Sequence, residues 1–380
     1  MKILVISHTY IAPINREKWK VFAKLYSDFQ IKVLIPKIWP ANLFTIHSGD
    51  LSSDNDQNCE FVALNTFKNG NEVLYGYKFF ELIKLLKEFK PDLIHVEQGD
   101  SAFSYFQSIF LSKIFCPKAK FTFFTWVNWE EKRSWKYKFF WKFIERFNLF
   151  FTNGAFVGNQ DAKKILQDKN FKKPIEVLHQ LGVNKKFFYP AKHENKSKKK
   201  YIGYIGRLIK EKGIFTLIDA FVLIKKKFCN WNLLIVGDGK DKKDFVNYVC
   251  KKKLMDRIEF RPPVCHEEVV SIFHQIEIFV LPSYDIEKWR EQFGHVLIEA
   301  MSCKVPVIGS TGGYIPNVIG DAGLIFEQKN EKKLAKCLNI FMRDEKIRKT
   351  FGQKGYSRFE LNFSYNIIAK KTFSFWNKLC

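Results

Sequence analysis

No apolar run of about eighteen residues, the length a spanning helix needs, occurs in this chain, so a membrane-crossing segment is excluded. No C-x-x-C pair occurs among the eight cysteines, and Cys265-His266 has no second ligand pair at zinc-site distance. The cysteines therefore read as reduced thiols of a cytoplasmic protein. No G-x-G-x-x-G occurs either: the strand at 233–236 exits through G-D-G at 237–239, which does not support dinucleotide binding. The apolar stretch at the N-terminus, residues 2–7, is too short for a signal peptide and reads as a strand. Acidic residues are short, 39 against 63 Lys and Arg, giving a formal charge of +24. That balance favours an anionic partner: nucleotide phosphate, acidic lipid headgroups or nucleic acid. Glycine is sparse beside phenylalanine, 20 against 40. The lysines are spread along the chain, so part of both biases is compositional.

The length, 380 residues, suffices for two domains with full cores. Residues 2–7 and 31–36 read as buried parallel strands around a helix whose N-cap is expected at Asn15, a strand–helix–strand opening. Residues 40–75 are irregular. They include a literal D-x-D at Asp54 and Asp56, which reads as a solvated turn because no buried strand precedes it. A helix over 77–89 leads into a strand at 91–97 whose end carries His95, Glu97 and, just beyond, Asp100. Ligands of open α/β sheets bind outside such carboxyl ends, although a satisfied polar strand end is an equal account of each residue. The strand at 120–125 ends at Thr125, with Asn128 beyond. The segment 135–151 interleaves aromatics with Lys136, Lys138, Lys142 and Arg146. It suits a helix lying on a membrane surface, but its apolar positions fill well over half the circumference, as in a packed helix. After a strand and turn at 175–188, residues 191–200 are almost free of apolar side chains and read as a linker.

The strand pattern restarts at 201, and two motifs follow. G-R-L-I-K-E-K-G at 206–213 places a guanidinium (Arg207) and an ammonium (Lys212) on a glycine-freed turn, a pairing suited to phosphate oxygens. E-Q-F-G-H-V-L-I-E at 291–299 opens a short apolar helix and runs on to a glycine pair at 312–313. The first N–H groups of a helix lack intrahelical partners and carry partial positive charge, so a ligand oxygen placed there finds donors aimed at it. Glu299 lies about one and a half turns beyond that start, able to address another part of the same ligand. A dipole account explains one acid there. It does not explain the second, beside the apolar Ala300-Met301.

The 291–309 stretch, E-x-F-G-x-x-x-x-E-A-M-x-C-x-x-P-V, resembles the paired-glutamate motif of family 4 retaining glycosyltransferases, and 206–213 resembles that family's donor diphosphate clamp. The resemblance is strong over 201–326 and loose over 1–185. It implies an α/β chain of GT-B fold, two Rossmann-like doubly wound parallel-sheet domains facing a cleft. The expected division is an acceptor-side domain 1–190, a linker 191–200, a nucleotide-sugar domain 201–362 and a helix 363–380 crossing back. The implied activity is retaining transfer of a sugar from a nucleotide-diphospho sugar such as a UDP- or GDP-sugar, in polysaccharide, lipopolysaccharide or glycolipid synthesis. The acceptor is a sugar or lipid-linked sugar. Neither cofactor nor metal is implied. Glu291 would be the catalytic-site acid and, with Phe293 and Gly294, would contact the donor sugar; Arg207 and Lys212 would bind the diphosphate and Glu299 the ribose. On the acceptor side the family's first-loop glycine pair is replaced by Pro13, Asn15 and Arg16, and its strand-end histidine by Thr125 and Trp126. The acceptor candidates are therefore Asn15, Arg16, His95, Glu97, Thr125 and Asn128. The expected location is cytoplasmic, peripheral at an anionic inner leaflet. Other readings stay open: an epimerase or phosphorylase on the same fold, the latter needing a pyridoxal-phosphate lysine, and a basic nucleic-acid-binding protein, which leaves both glutamates unexplained.

Overall fold

The computed structural model describes residues 1–40, 45–56, 58–128, 135–192, 199–287 and 289–379. Most of the expected linker (193–198) and Lys288 lie outside the described residues, as do the side chains of Lys136 and Lys138. The chain divides into two compact units, Met1–Leu181 with Tyr365–Cys380, and Gly182–Ser364.

The first unit is built on a seven-stranded parallel sheet. Its order is Ile175–Val177, Gly154–Val157, Lys120–Thr125, Leu93–Val96, Lys2–Ile6, Gln30–Pro36, Cys59–Leu64. Strands sandwiched between helices are apolar on both faces, and Ile3, Leu4, Val5 and Ile6 are all fully buried. Strand order reverses beside Lys2–Ile6, where Ile3 registers with Ile31 on one side and Leu93 on the other. One face is covered by the helices Phe79–Phe89 and Phe103–Phe115, through Leu82, Leu86, Tyr105 and Ile109. The other is covered by Pro13–Leu25 and Tyr365–Leu379, where Trp19 stacks on Trp376 at 5.8 Å with the planes 4° apart. The first helix begins at Pro13, with Ala12 in the cap position, not at the expected cap Asn15. Proline's fixed φ suits the first helical position, and this preference sets the cap three residues earlier.

The second unit repeats the plan with six parallel strands, in the order Ile258–Arg261, Trp231–Val236, Lys200–Ile205, Ile276–Leu281, Val307–Ser310, Gly323–Phe326. Strand order reverses at Lys200–Ile205, so the exits of this strand and of Ile276–Leu281 flank a switch point, where α/β sheets bind ligands. Residues 182–190, expected to close the N-terminal domain, pack in this second unit. The amide of Val183 donates to the Phe363 carbonyl at 3.1 Å, and the Phe188 ring meets His266 edge-on at 5.1 Å. These two apolar side chains find their burial there, which draws the boundary back to 181/182.

The helix Trp135–Phe151 is neither wholly packed nor wholly superficial. Trp141, Ile144 and Asn148 are buried, while Phe140, Phe143 and Phe150 point outward, Phe150 at 73% exposure. Among the described residues no helix is long and apolar enough to cross a membrane.

Candidate active site

Four glycines shape the exits at the second unit's switch point. Gly206 and Gly237 end the neighbouring strands with φ of 154° and 144°, and a Cβ on Gly237 would overlap the Gly206 carbonyl. Gly213 has φ 73°, and a Cβ there would overlap the Pro282 carbonyl. Only glycine allows both the left-handed backbone and this close approach. The turn Lys210–Lys212 is thereby pressed against the end of Ile276–Leu281, and Lys212 reaches the acid motif. Its Nζ lies 2.6 Å from Glu291 Oε2 and 5.1 Å above the Trp289 ring. Ser283 Oγ donates to the same carboxylate oxygen at 3.0 Å. Gly313, at φ 49°, lies against the Glu291 carbonyl with no room for a Cβ, and the Tyr314 amide donates to that carbonyl at 2.9 Å. The glycine pair thus seats the backbone that carries Glu291.

Arg207 is exposed, and among the described residues its guanidinium makes no ion pair. It borders the same cluster. Burial holds the Tyr204 phenol well above its ordinary value, and the neighbouring charges acting on it are Glu291, which raises it further, and Arg207, which lowers it. The structure thus brings Arg207, Lys212 and Glu291 together at one strand exit, with Lys212 as the counter-ion of Glu291. Phe293 is buried, its ring edge-on to Phe363 at 5.8 Å, so its side chain packs inward. Gly294 takes φ 78° at the cap of His295–Ser302, and a Cβ there would come within 2.8 Å of Leu281 Cδ2. Its glycine is therefore required by the turn and the strand beneath, besides leaving the helix start open.

Glu299 is 5% exposed, and Oε1 accepts from His266 Nε2 at 2.9 Å and from His295 Nδ1 at 3.0 Å. Burial alone would raise its pKa, but the two histidines outweigh it and bring the carboxyl down to about 2. His266 is opposed by its own burial yet ends above its ordinary value because of Glu299. Neither histidine was assigned a role from sequence. His295 had a signal, since positions four apart on a helix share a face. His266 had none, being 33 residues away. Ser283 was missed for the same reason.

In the first unit, the expected acceptor-side residues fall into two groups. Arg16 is 2% exposed and wholly engaged: Nε donates to the Tyr10 carbonyl, Nη2 to those of Ile11 and Ser48, and Nη1 pairs with Asp54. It anchors the loop at 48–54 and is not free for an acceptor. Asp54, expected in a solvated turn, is instead held by both Arg16 and Lys20. His95 and Glu97 are buried in one network: Lys18 Nζ lies 2.7 Å from Glu97 Oε1, Gln180 donates to Oε2 at 3.0 Å, and His95 Nε2 lies 3.4 Å from Oε1. Burial pushes His95 down; it also opposes ionisation of Glu97, but Lys18 prevails and keeps that carboxyl far below the usual range. This is a satisfied strand end. Asp100 is likewise paired, with Lys169 at 2.5 Å. The second group is less committed. Asn15 Nδ2 donates to the Thr9 carbonyl at 2.9 Å, Thr125 Oγ1 accepts from the Val127 amide at 3.2 Å, and Asn128 Oδ1 is buried without a hydrogen bond among the described residues.

Residues 185–358 match the family described as Glycosyl transferases group 1. Over this stretch the chain is similar to group 1 glycosyltransferases. The stretch takes in Arg207, Lys212, Glu291 and Glu299, so the cluster described above lies within the matched residues. Among curated relatives, the capsular polysaccharide biosynthesis glycosyltransferase CapM of Staphylococcus aureus is 34% identical over 189 residues, 46% of this chain and 45% of CapM. The N,N'-diacetylbacillosaminyl-diphospho-undecaprenol alpha-1,3-N-acetylgalactosaminyltransferase of Campylobacter jejuni is 26% identical over 264 residues, 64% of this chain and 63% of that protein. The chain spans about half the length of the first curated relatives it matches. Among solved structures, HepE of Anabaena in complex with UDP aligns over 100% of both chains with a TM-score of 0.72 at 15% identity. That likeness is one of fold, the GT-B fold, and the matched stretch 185–358 lies within the second unit.

Proposed function

We propose that this chain is a retaining glycosyltransferase that moves a sugar from a nucleotide-diphospho sugar to a sugar or lipid-linked sugar acceptor. The observation that carries this reading is the cluster at the second switch point: exposed Arg207, with Lys212 and Ser283 holding Glu291, and Glu299 fixed further along the same helix. Negative charge grows on the leaving diphosphate as the glycosidic bond breaks. Arg207 and Lys212 supply fixed positive charge there, the task a divalent ion performs elsewhere, so activity is expected without metal. Lys212 carries three N–H donors, of which Glu291 needs one, so it can bridge carboxylate and phosphate. Glu291 and the amides after Phe293 face the sugar, and Glu299 accepts from the ribose hydroxyls. HepE is described in complex with UDP and with UDP-glucose, which supports a uridine donor, with a GDP-sugar the other to be tried. The names of CapM and of the Campylobacter transferase support polysaccharide or lipid-linked oligosaccharide synthesis and favour transfer over the epimerase and phosphorylase readings.

The same reading places the protein in the cytoplasm, peripheral at an anionic leaflet. Its support is a face where Phe110 and Ile114 stand exposed on one helix beside Phe140, Phe143 and Phe150 on the next, joined by the rings of Phe106 and Phe147. Lys142 and Arg146 rim it, exposed and without an ion pair among the described residues. Apolar area plus uncompensated cations suits the surface of an acidic bilayer.

The test is a donor panel with mass-spectrometric detection of released nucleotide and of glycosylated product, with and without EDTA. Product from one donor, of retained anomeric configuration and undiminished by EDTA, is expected. Nucleotide release without any glycosylated product would overturn transfer, and a pyridoxal absorbance band would favour a phosphorylase.

A further inference from the structure

The two histidines beside Glu299 do more than fill space. Both hydrogen bonds fall on Oε1, so among the described residues Oε2 keeps its lone pairs. A carboxylate only accepts, so His266 Nε2 and His295 Nδ1 must each carry a proton. His295 has a second acceptor: its Nε2 lies 3.1 Å from the Gly182 carbonyl, where the chain enters the unit. A neutral imidazole has one ring proton and can satisfy only one of these contacts. Both are hydrogen bonds only in the imidazolium form. The helix that carries Glu299 is tied to Gly182 through a charged ring.

We propose that His266 and His295 are positioning residues forming a proton-loaded clamp, which fixes Glu299 in one orientation and presents Oε2 to the nucleotide ribose. The proposal rests on the donor-site reading of Glu299 given above. A carboxylate free to rotate offers a vicinal diol two exchanging oxygens; one pinned at Oε1 offers a preorganised acceptor, and preorganisation lowers the entropy lost on binding. Against its own burial, His266 is held above its ordinary value by its bond to Glu299, which favours the charged ring. Other groups face the same cluster. Glu267 adds to the rise of His266, and burial, with Glu299 adding to it, pushes the Cys303 thiol up to about 12. The helix Glu345–Asn362, packed against the back of His295–Ser302, presents Gly355 to Met301 there.

The experiment is calorimetric binding of UDP and GDP, each compared with its 2′,3′-dideoxy counterpart, at neutral pH. The phosphates are common to each pair and cancel in the ratio. The parent is expected to prefer the ribose form roughly tenfold or more, the loss expected for a hydrogen bond to a charged acceptor. His295→Leu should lose most of the preference while melting as a folded protein. His295→Asn keeps a donor where Nδ1 stood and should restore most of the preference. An unchanged preference in His295→Leu, or a loss in His295→Asn as large as in His295→Leu, overturns the clamp. If Glu299→Gln abolishes the preference while the histidine variants do not, the donor-site reading stands and the clamp alone falls. A parent that binds ribose and dideoxy forms equally removes both.

Discussion

Replacing Lys212 with Ala should damage stability and catalysis by separable amounts. The pair it forms with Glu291 is largely shielded, at 13% and 11% side-chain exposure, so truncation leaves a carboxylate without its cation. Breaking a buried pair costs about 3–5 kcal/mol, and the lower end applies here because Ser283 still donates to Glu291. The cation over Trp289 is lost as well. In the reaction, the missing contact to the leaving diphosphate should cost roughly 1.5–3 kcal/mol, or about 10- to 150-fold in turnover. The second variant is Lys212→Ala with Glu291→Gln, which removes both charges together. Urea midpoints should then recover most of the lost stability, because neither charge is left unpaired. Turnover of the nucleotide sugar should stay low. A double variant that regains both stability and turnover would show that Lys212 serves only the fold. Lys212→Ala turning over donor like the parent would refute the clamp assignment outright.

Gly313→Ala should destabilise the second unit by about 2 kcal/mol or more and lower donor turnover, since φ is 49° and a Cβ would overlap the Glu291 carbonyl; a urea midpoint equal to the parent's would contradict this. Glu97 has a folded pKa below its ordinary 4.5, so the stability it adds is present at neutral pH and is lost as pH falls below that value. Melting temperatures followed from pH 7 to 3 should drop less steeply in Glu97→Gln than in the parent. Changing Phe143 and Phe150 to Glu should abolish sedimentation with anionic liposomes and leave the melting temperature nearly unchanged; binding that survives both changes counts against the membrane face.

The strands were legible because parallel strands sandwiched between helices are continuous apolar runs, and Lys2–Ile6 or Trp231–Val236 read as nothing else. The two motifs of the second unit were legible because each packs its chemistry into nine residues or fewer. Their partnership was not, since Lys212 and Glu291 lie 79 residues apart and meet only through the tight exits at Gly213 and Gly313. Arg16 misled for a related reason. In sequence it is a basic residue in a ligand-side loop, and only the fold brings Asp54 and three carbonyls around it. The boundary at 181/182 was displaced because Val183 and Phe188 are apolar residues whose partners, Phe363 and His266, come from distant parts of the chain.

The stack of Trp376 on Trp19 has a consequence for synthesis. The first unit includes both Met1–Leu181 and Tyr365–Cys380, so one face of its sheet cannot be fully covered until the helix Tyr365–Leu379 has emerged from the ribosome to join Pro13–Leu25. At about 5–20 residues per second, the intervening stretch takes on the order of ten seconds or more to be made. Through that interval Trp19, Phe22 and the strand faces beneath them wait without their lid, while the second unit, continuous in sequence, is free to fold on its own. The nascent first unit is therefore the species a holding chaperone would meet. A slow-translating stretch anywhere between residue 23 and the last helix would lengthen the exposure of Trp19 and Phe22.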